Sequence, residues 1–403
     1  MDVQHRITSQ DHPLAGPIVM LLTPNLDVGG AQEMLRTLAS YLPRVGCPAV
    51  VCSFEDGPLR HDVEDLGVPI EILSPRRHSI FELRAFVREM RSYRRRLRRL
   101  VDAYGIEAII TKGLGTLDFL VMTLRRRDLQ IWWTIENTSF ELRPEHLPEH
   151  AWSFRAKRGV HRLLYRLGRR IVNGVIAVSD ETSTAFRTIA GEDRGKVVVV
   201  CNAVDTERYP AAIDREAFRS SLGIRPGEHV MTMVGTFKRQ KGHTYLIRAM
   251  AEVVPEHPEL HILLAGDGEL RPNIEGQVRA DGLQGRVTFL GTRRDVPEIL
   301  AASDSFILPS LWEGLPVALV EAMATGLPLV ATVVSGTSQV VTDGVDGLLV
   351  PPGDVRALAA AMRRILADPV GAAGLGTAAR SRVVSSFGAL AQAHHVASLL
   401  RGR

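Results

Sequence analysis

Cysteine is scarce: Cys47, Cys52 and Cys201 are the only three in 403 residues. Their spacing offers neither a metal-ligand set nor a disulfide framework, so a reducing compartment is the default expectation. Long apolar runs are missing as well. Nothing approaches the ~20 apolar residues of a membrane-spanning helix. The polar stretch 1–17 lacks the apolar core of a secretory signal. The expectation is a cytoplasmic protein, at most attached to a membrane face. Neither sign of charge dominates, since 49 basic and 45 acidic residues leave +4. With so small a surplus and no module of stacking aromatics, nucleic acid is not an expected partner. Scattered histidines such as His61, His146, His150, His243, His394 and His395 show no ligand pairing, and no metal is expected. There is no low-complexity segment and no solenoid repeat.

What is present is a regular alternation. Short apolar runs at 18–23, 49–54, 107–111, 131–135, 175–178 and 196–200 are separated by helical patterns, notably 31–42, 81–104 and 154–172. A second series of runs follows at 229–233, 261–265, 287–290, 305–308, 328–331 and 347–350, with helices at 242–254 and 317–324 between them. Repeated β–α order calls for parallel sheets covered on both faces. A chain of this length exceeds one ordinary core. The predicted fold class is therefore α/β, with two doubly wound domains facing a central cleft. Domains are expected at 1–205 and 206–385, with a terminal helix from 386 to 403 crossing back to the first. Ligands in such sheets bind beyond the carboxyl ends of the strands.

The most informative segment runs from Pro309 to Ala324 and reads PSLWEGLPVALVEAMA. Pro316 suits the first helical position, where its missing N–H is not needed. The free N–H groups of that first turn make a natural phosphate seat, and Gly314 lets a ligand approach the backbone closely. Glu313 precedes the helix and Glu321 lies about one turn inside it. Carboxylates accept well from paired hydroxyls, such as those of ribose or a sugar ring. Taken alone, Glu313 reads first as an acidic residue favoured by the helix dipole. Three glycine turns end strands of the same domain: Val234-Gly235 with Lys241-Gly242 opening the next helix, Ala265-Gly266-Asp267-Gly268, and Leu290-Gly291-Thr292. Each alone is weak, since tight turns need glycine anyway. A lysine at position 241 can reach a diphosphate.

Taken together, these pieces resemble the retaining glycosyltransferases of the GT-B fold, in the large family typified by sucrose and lipopolysaccharide glycosyltransferases. The matching segments are Ser179 to Glu181, Asn202 to Asp205, Gln240-Lys241-Gly242, Ala265 to Gly268, Glu313 with Glu321 eight residues on, and Gly347 to Asp354. The resemblance implies sugar transfer from a nucleotide diphosphate donor, with retention and without a metal or other cofactor. It implies that Lys241 holds the diphosphate, Glu321 the ribose and Glu313 the donor sugar. The N–H groups of Gly314, Leu315 and Val317 would seat sugar and phosphate, Gly235 and Gly266 would line the same edge, and Thr292 would lie beside the base. In the first domain, Gly29 and Gly30 would face the cleft; alone, a Gly-Gly turn is more often structural. UDP is the expected nucleotide because it is the commonest donor in the family. A glycan or lipid-linked acceptor completes the expectation.

Three positions depart from the family pattern. Glu136 stands where many relatives have histidine, Thr236 where many have arginine, and Gln339 where an acid is common. Glu136 can accept from a hydroxyl or serve as a base, and a structural or capping role fits it nearly as well. Lys238 or Arg239 is a candidate for the charge missing at Thr236. These departures keep open a nucleotide-sugar-binding protein with weak or lost transfer; a nucleotide-sugar epimerase or hydrolase is a further alternative, since the fold the resemblance implies also hosts such chemistry. Two basic stretches stand apart. Eight arginines lie between Arg84 and Arg99, and a second group runs from Arg155 to Arg170 with leucines interleaved. Each reads first as a solvated helix face. Together they make an anionic membrane surface a candidate partner.

Overall fold

The computed structural model describes residues 16–73, 83–112, 118–136, 162–163, 165–191, 196–334 and 336–402. The expected helix 154–172 lies outside the described residues as far as 161. The chain divides into two compact units: Met1–Cys201 with Ala389–Arg403, and Asn202–Gly388. The breaks expected from the sequence stand at 205 and 385.

In the first unit seven parallel strands stand in the order β3-β2-β1-β4-β5-β6-β7. They are β1 (Val19–Thr23), β2 (Ala49–Ser53), β3 (Ile70–Ile72), β4 (Ala108–Lys112), β5 (Gln130–Ile135), β6 (Gly174–Ala177) and β7 (Val197–Val199). The helices described are α1 (Gly30–Tyr41), α2 (Arg60–Glu64), α3 (Leu83–Tyr104), α4 (Asp118–Met122) and α5 (Asp180–Ala190). Strands β1, β2 and β4 are buried at every position, which is why they read as continuous apolar runs rather than alternating ones. Ser179 starts α5 by accepting from the Thr182 N–H at 3.1 Å.

The second unit has six parallel strands in the order β10-β9-β8-β11-β12-β13. They are β8 (His229–Val234), β9 (Leu260–Ala265), β10 (Val287–Gly291), β11 (Ser305–Leu308), β12 (Leu329–Thr332) and β13 (Leu348–Val350). Its helices are α6 (Arg215–Ser221), α7 (His243–Val253), α8 (Arg271–Ala280), α9 (Val296–Ala301), α10 (Val317–Thr325), α11 (Thr337–Val340), α12 (Val355–Ala367) and α13 (Pro369–Ser386). A last helix, α14 (Ala389–Leu400), returns to the first unit. There its apolar face, Ala393, Val396, Ala397 and Leu400, joins the core with Leu35 and Leu38 of α1. Gln392 donates to the Cys201 carbonyl at 2.7 Å, and Gln130 to that of Leu400 at 2.8 Å.

The strand order of each sheet reverses direction from its first strand, β1 or β8, and this is where ligands bind in open α/β sheets. In the second unit α10 runs from that point, seated by α13. Gly376 of α13 lies against the end of α10: a Cβ there would stand 2.1 Å from the Gly326 carbonyl oxygen. Arg380, one turn further on, donates to the carbonyls of Ala324 and Tyr209.

That contact sets up a test. Alanine at position 376 gains ~0.5–1 kcal/mol of helix propensity but overpacks a backbone contact, at about 1–3 kcal/mol. Overpacking wins. Gly376→Ala is expected to lower the unfolding midpoint by roughly 2–4 °C per kcal/mol lost. An unchanged or raised midpoint in calorimetry would contradict the close packing of α13 on α10.

Candidate functional site

Two loops at the carboxyl ends of β8 and β11 meet through one buried carboxylate. Glu313, only 5% exposed, accepts from Lys241 Nζ and Ser310 Oγ, both at 2.6 Å, on Oε1. Its Oε2 accepts from Gln240 Nε2 at 3.2 Å. The same Gln240 amide donates to the Trp312 carbonyl at 2.9 Å, while the Gln240 carbonyl accepts from Leu311 N–H at 2.7 Å. Thr332, at the end of β12, donates to the Ser310 carbonyl at 2.5 Å. A carboxylate has about four acceptor positions. Among the described residues three donors use them, and one of the three is Lys241. An ammonium has three donors, and Glu313 takes one of those on Lys241.

Glycine is required where the loops touch. Gly242 has φ +73°, and a Cβ on it would lie 2.0 Å from the Pro309 oxygen. Gly336, with φ +71°, would place a Cβ 1.8 Å from the Gly314 oxygen. After β11 the backbone turns into α10. Pro316 is the cap residue, not the first helical one: its ψ of 113° keeps it extended while its carbonyl accepts from Leu319 and Val320. The N–H groups of Gly314, Leu315, Val317 and Ala318 have no acceptor among the described residues. Asn202 donates to the Leu315 carbonyl at 2.9 Å and so fixes how this turn is oriented.

Glu321 is buried, and its Oε1 accepts from the Tyr209 hydroxyl at 2.9 Å. Gly235 and Gly266 lie side by side at the ends of β8 and β9, where a Cβ on Gly266 would meet the Gly235 oxygen at 2.1 Å. Gly266 N–H donates to Gly291 at the end of β10, and exposed Thr292 follows. The structure thus groups Lys241 with Glu313, puts Glu313, Gly314, Leu315 and Val317 in one turn, and sets Gly235, Gly266 and Thr292 on the same edge of the sheet. Lys238 and Arg239, by contrast, line a separate cavity that Lys241 does not line.

The remaining candidates belong to the first unit. Gly29 caps α1 and Gly30 begins it. Gly29 has φ −178°, extended backbone that any residue adopts, so its conformation alone does not require glycine. Glu136 follows β5 and accepts from Lys112 Nζ at 3.1 Å. That lysine, at the end of β4, has only 4% of its side chain exposed. A buried lysine at a strand's carboxyl end with a carboxylate partner is a residue that the sequence reading missed. So were Ser310, Tyr209 and the Asn202 contact. Lysine at the end of an otherwise apolar strand was the only signal for Lys112; the others are joined across the fold and left none.

Beside Lys241, His243 is 3% exposed, stacks on Phe237 at 4.2 Å, and has no partner for Nδ1 among the described residues. Burial, and then the Lys241 charge, push its imidazole down to about 4. Burial likewise lowers His229 and His261.

The family model described as Glycosyltransferase Family 4 matches residues 28–208, and that described as Glycosyl transferases group 1 matches 228–368. An Escherichia coli UDP-Gal:alpha-D-GlcNAc-diphosphoundecaprenol alpha-1,3-galactosyltransferase is 36% identical over 182 residues, 44% of this chain and 47% of that protein. The 2-deoxystreptamine glucosyltransferase of Streptomyces kanamyceticus is 31% identical over 238 residues, 58% of this chain and 60% of that protein. The chain thus spans about half the length of the curated relatives it matches. Among solved structures, Anabaena HepE in complex with UDP-glucose aligns over 96% of this chain and 100% of its own, with a TM-score of 0.81 at 23% identity. WaaG, a glycosyltransferase involved in lipopolysaccharide biosynthesis, aligns over 96% of this chain and 100% of its own, with a TM-score of 0.72 at 16% identity. At these identities the likeness is one of fold, and the two parallel α/β units are those of GT-B structures.

The buried histidines make stability depend on pH. His243 titrates near 6.5 when unfolded and near 4 when folded. Between those values the unfolded chain binds more protons, so stability falls as pH drops from about 6.5 to about 4. The full shift corresponds to on the order of 3 kcal/mol. Denaturant titrations of native protein and His243→Asn across pH 7 to 4.5 are expected to show a flatter slope for the variant. Parallel slopes would mean that His243 does not contribute.

Proposed function

This chain belongs to the group 1, family 4 glycosyltransferases, and we propose on that premise that it moves a hexose or related sugar from a nucleotide diphosphate. The proposed donor is a UDP-sugar, the acceptor a glycan or lipid-linked glycan, and the reaction retains configuration without a metal. The observation that carries this reading is the Lys241–Glu313 pair directly before the N–H groups of Gly314, Leu315 and Val317, which have no acceptor among the described residues. Bond cleavage at the anomeric carbon leaves negative charge on the diphosphate. A fixed ammonium and a helix N-terminus oppose that charge without rearrangement, which is where electrostatic stabilisation is most effective. Glu313 holds the ammonium in place and offers its remaining acceptor position to the sugar. Glu321, braced by Tyr209, suits a ribose diol. UDP as donor is further supported by HepE, solved with UDP-glucose, and by the galactosyltransferase relative, whose name specifies UDP-Gal and a diphosphoundecaprenol acceptor. In the first unit, Glu136 with Lys112 is proposed to meet sugar or acceptor hydroxyls.

A second reading, nucleotide-sugar binding with weak or lost transfer, draws on Thr236 and Glu136, which replace the family's usual arginine and histidine. Hydrolysis or epimerisation would consume donor without acceptor, and transfer would not. Unfolding midpoints with UDP, GDP and ADP, with and without EDTA, test the donor class. Saturation at 100 times the dissociation constant adds about 2.7 kcal/mol. UDP is expected to stabilise with EDTA present and to lose its effect in Glu321→Ala. No shift with any nucleotide at millimolar concentration would sink the donor assignment. In transfer assays Lys241→Ala is expected to lose about 10²–10³-fold in rate. An unchanged rate in Glu136→Gln would remove that residue from the mechanism.

We also propose that the first unit docks on anionic lipid. No helix among the described residues is long and apolar enough to cross a membrane. On α3, however, Arg88, Arg91, Arg95, Arg98 and Arg99 are exposed, fall on one helical face, and have no acidic partner among the described residues. Nearby in sequence to one another, Leu163 and Leu167 are 58% and 51% exposed between exposed Arg162, Arg166 and Arg170. Basic faces with exposed leucines suit a lipid interface. Co-sedimentation with phosphatidylglycerol vesicles is expected at low salt and should weaken as salt rises. Equal recovery with neutral and anionic vesicles would defeat the proposal.

A further inference from the structure

A cavity of about 210 Å³ opens at the first turn of α7. Lys238, Arg239, Arg248, His243, Thr244 and Tyr245 line it, and none of its lining residues is acidic. Lys241, Glu313 and Glu321 are not in its wall. Lys238, Arg239 and Arg248 are exposed and have no ion-pair partner among the described residues. Three cations around one hollow repel each other unless something of opposite charge sits between them.

The backbone has the same polarity. Gly242 caps the 11-residue α7 without a side-chain acceptor. The N–H groups of His243 and Thr244 have no acceptor among the described residues, and the positive end of the helix dipole lies there. A further, independent sign is His243. It is 3% exposed and lines the cavity, yet its Nδ1 has no hydrogen-bond partner among the described residues. A buried nitrogen left without a partner is costly, and an oxyanion would accept from its Nδ1–H tautomer. The volume lies below the ~300 Å³ at which pockets begin to hold drug-sized ligands. It suits one phosphate group better than a nucleoside, and two guanidiniums suit phosphate oxygens bidentately.

We propose that this cavity is a second anion site, taking a phosphate group independently of the nucleotide site proposed above. The phosphate could be supplied as free inorganic phosphate or by the diphosphate of a lipid-linked acceptor, and the chemistry of recognition is the same.

The test uses the full chain at constant ionic strength. Inorganic phosphate is titrated against sodium chloride controls, alone and with saturating UDP, while the unfolding midpoint is followed. A saturable rise is expected that adds to any UDP effect. Arg248→Ala is expected to weaken phosphate by about tenfold, the loss of one charge-assisted contact, and Lys238→Ala with Arg239→Ala by more, since two cations are removed; both are expected to leave the UDP shift intact. The proposal is overturned if native protein shows no saturable rise, if the variants match it, or if phosphate and UDP displace each other. A chain that responds to phosphate but not to UDP would count against the donor assignment alone. Farnesyl diphosphate then separates the sources: competition with phosphate points to the acceptor, and independence to the free ion.

Discussion

A carboxyl group 95% removed from solvent must find its hydrogen-bond donors inside the fold, and Glu313 imposes that demand on the second unit. Lys241, Ser310 and Gln240 come from two loops that belong to different β–α crossovers. Their convergence ties the loop after β8 to the loop after β11, and Thr332 draws in the end of β12. Removing one partner of such a pair typically costs about 3–5 kcal/mol. Ser310 and Gln240 would soften that loss, since each leaves a donor on the carboxylate. The pair places a cation on the same edge as a row of N–H groups that have no acceptor among the described residues. Such advance placement is what makes electrostatic stabilisation effective.

Contacts this close depend on what is absent from two positions. With side chains at 242 and 336, the Pro309 and Gly314 carbonyls would collide with Cβ atoms. The glycine of the Lys241 turn therefore serves packing and conformation together, since its φ of +73° also favours glycine. Glycine at position 29 is under neither demand.

Much of the fold was legible because buried parallel strands read as unbroken apolar runs. Both sheets could be placed from these, and α10 from its proline, glycine and apolar run. Strand β3 escaped notice: Ile70–Ile72 is half-buried throughout and has Glu71 at its centre, so it lacks the unbroken apolar run that marked the equally short β7 and β13. Lys241 and Glu313 could be marked by motif, but the bond between them could not, because 72 residues separate them in the chain. Tyr209 and Glu321 are 112 apart, and Tyr209 carried no signal beyond standing before a proline. Lys238 and Arg239 looked like neighbours of Lys241, as they are in sequence. The tight turn at Arg239–Lys241, closed by left-handed Gly242, sends them to a different cavity. Charge was visible in the chain, but its direction was not.

The Asn202 side chain bonds to Leu315, and nearby Tyr209 to Glu321, so the stretch leading into α6 is structurally part of the site rather than a tether. Val204 also pairs with Gly388 at the other end of the same unit. An excised second unit would therefore have to begin by 202 and run through 388. A fragment cut at 206 would keep every strand and helix of the sheet, yet lose the amide that orients the turn before α10.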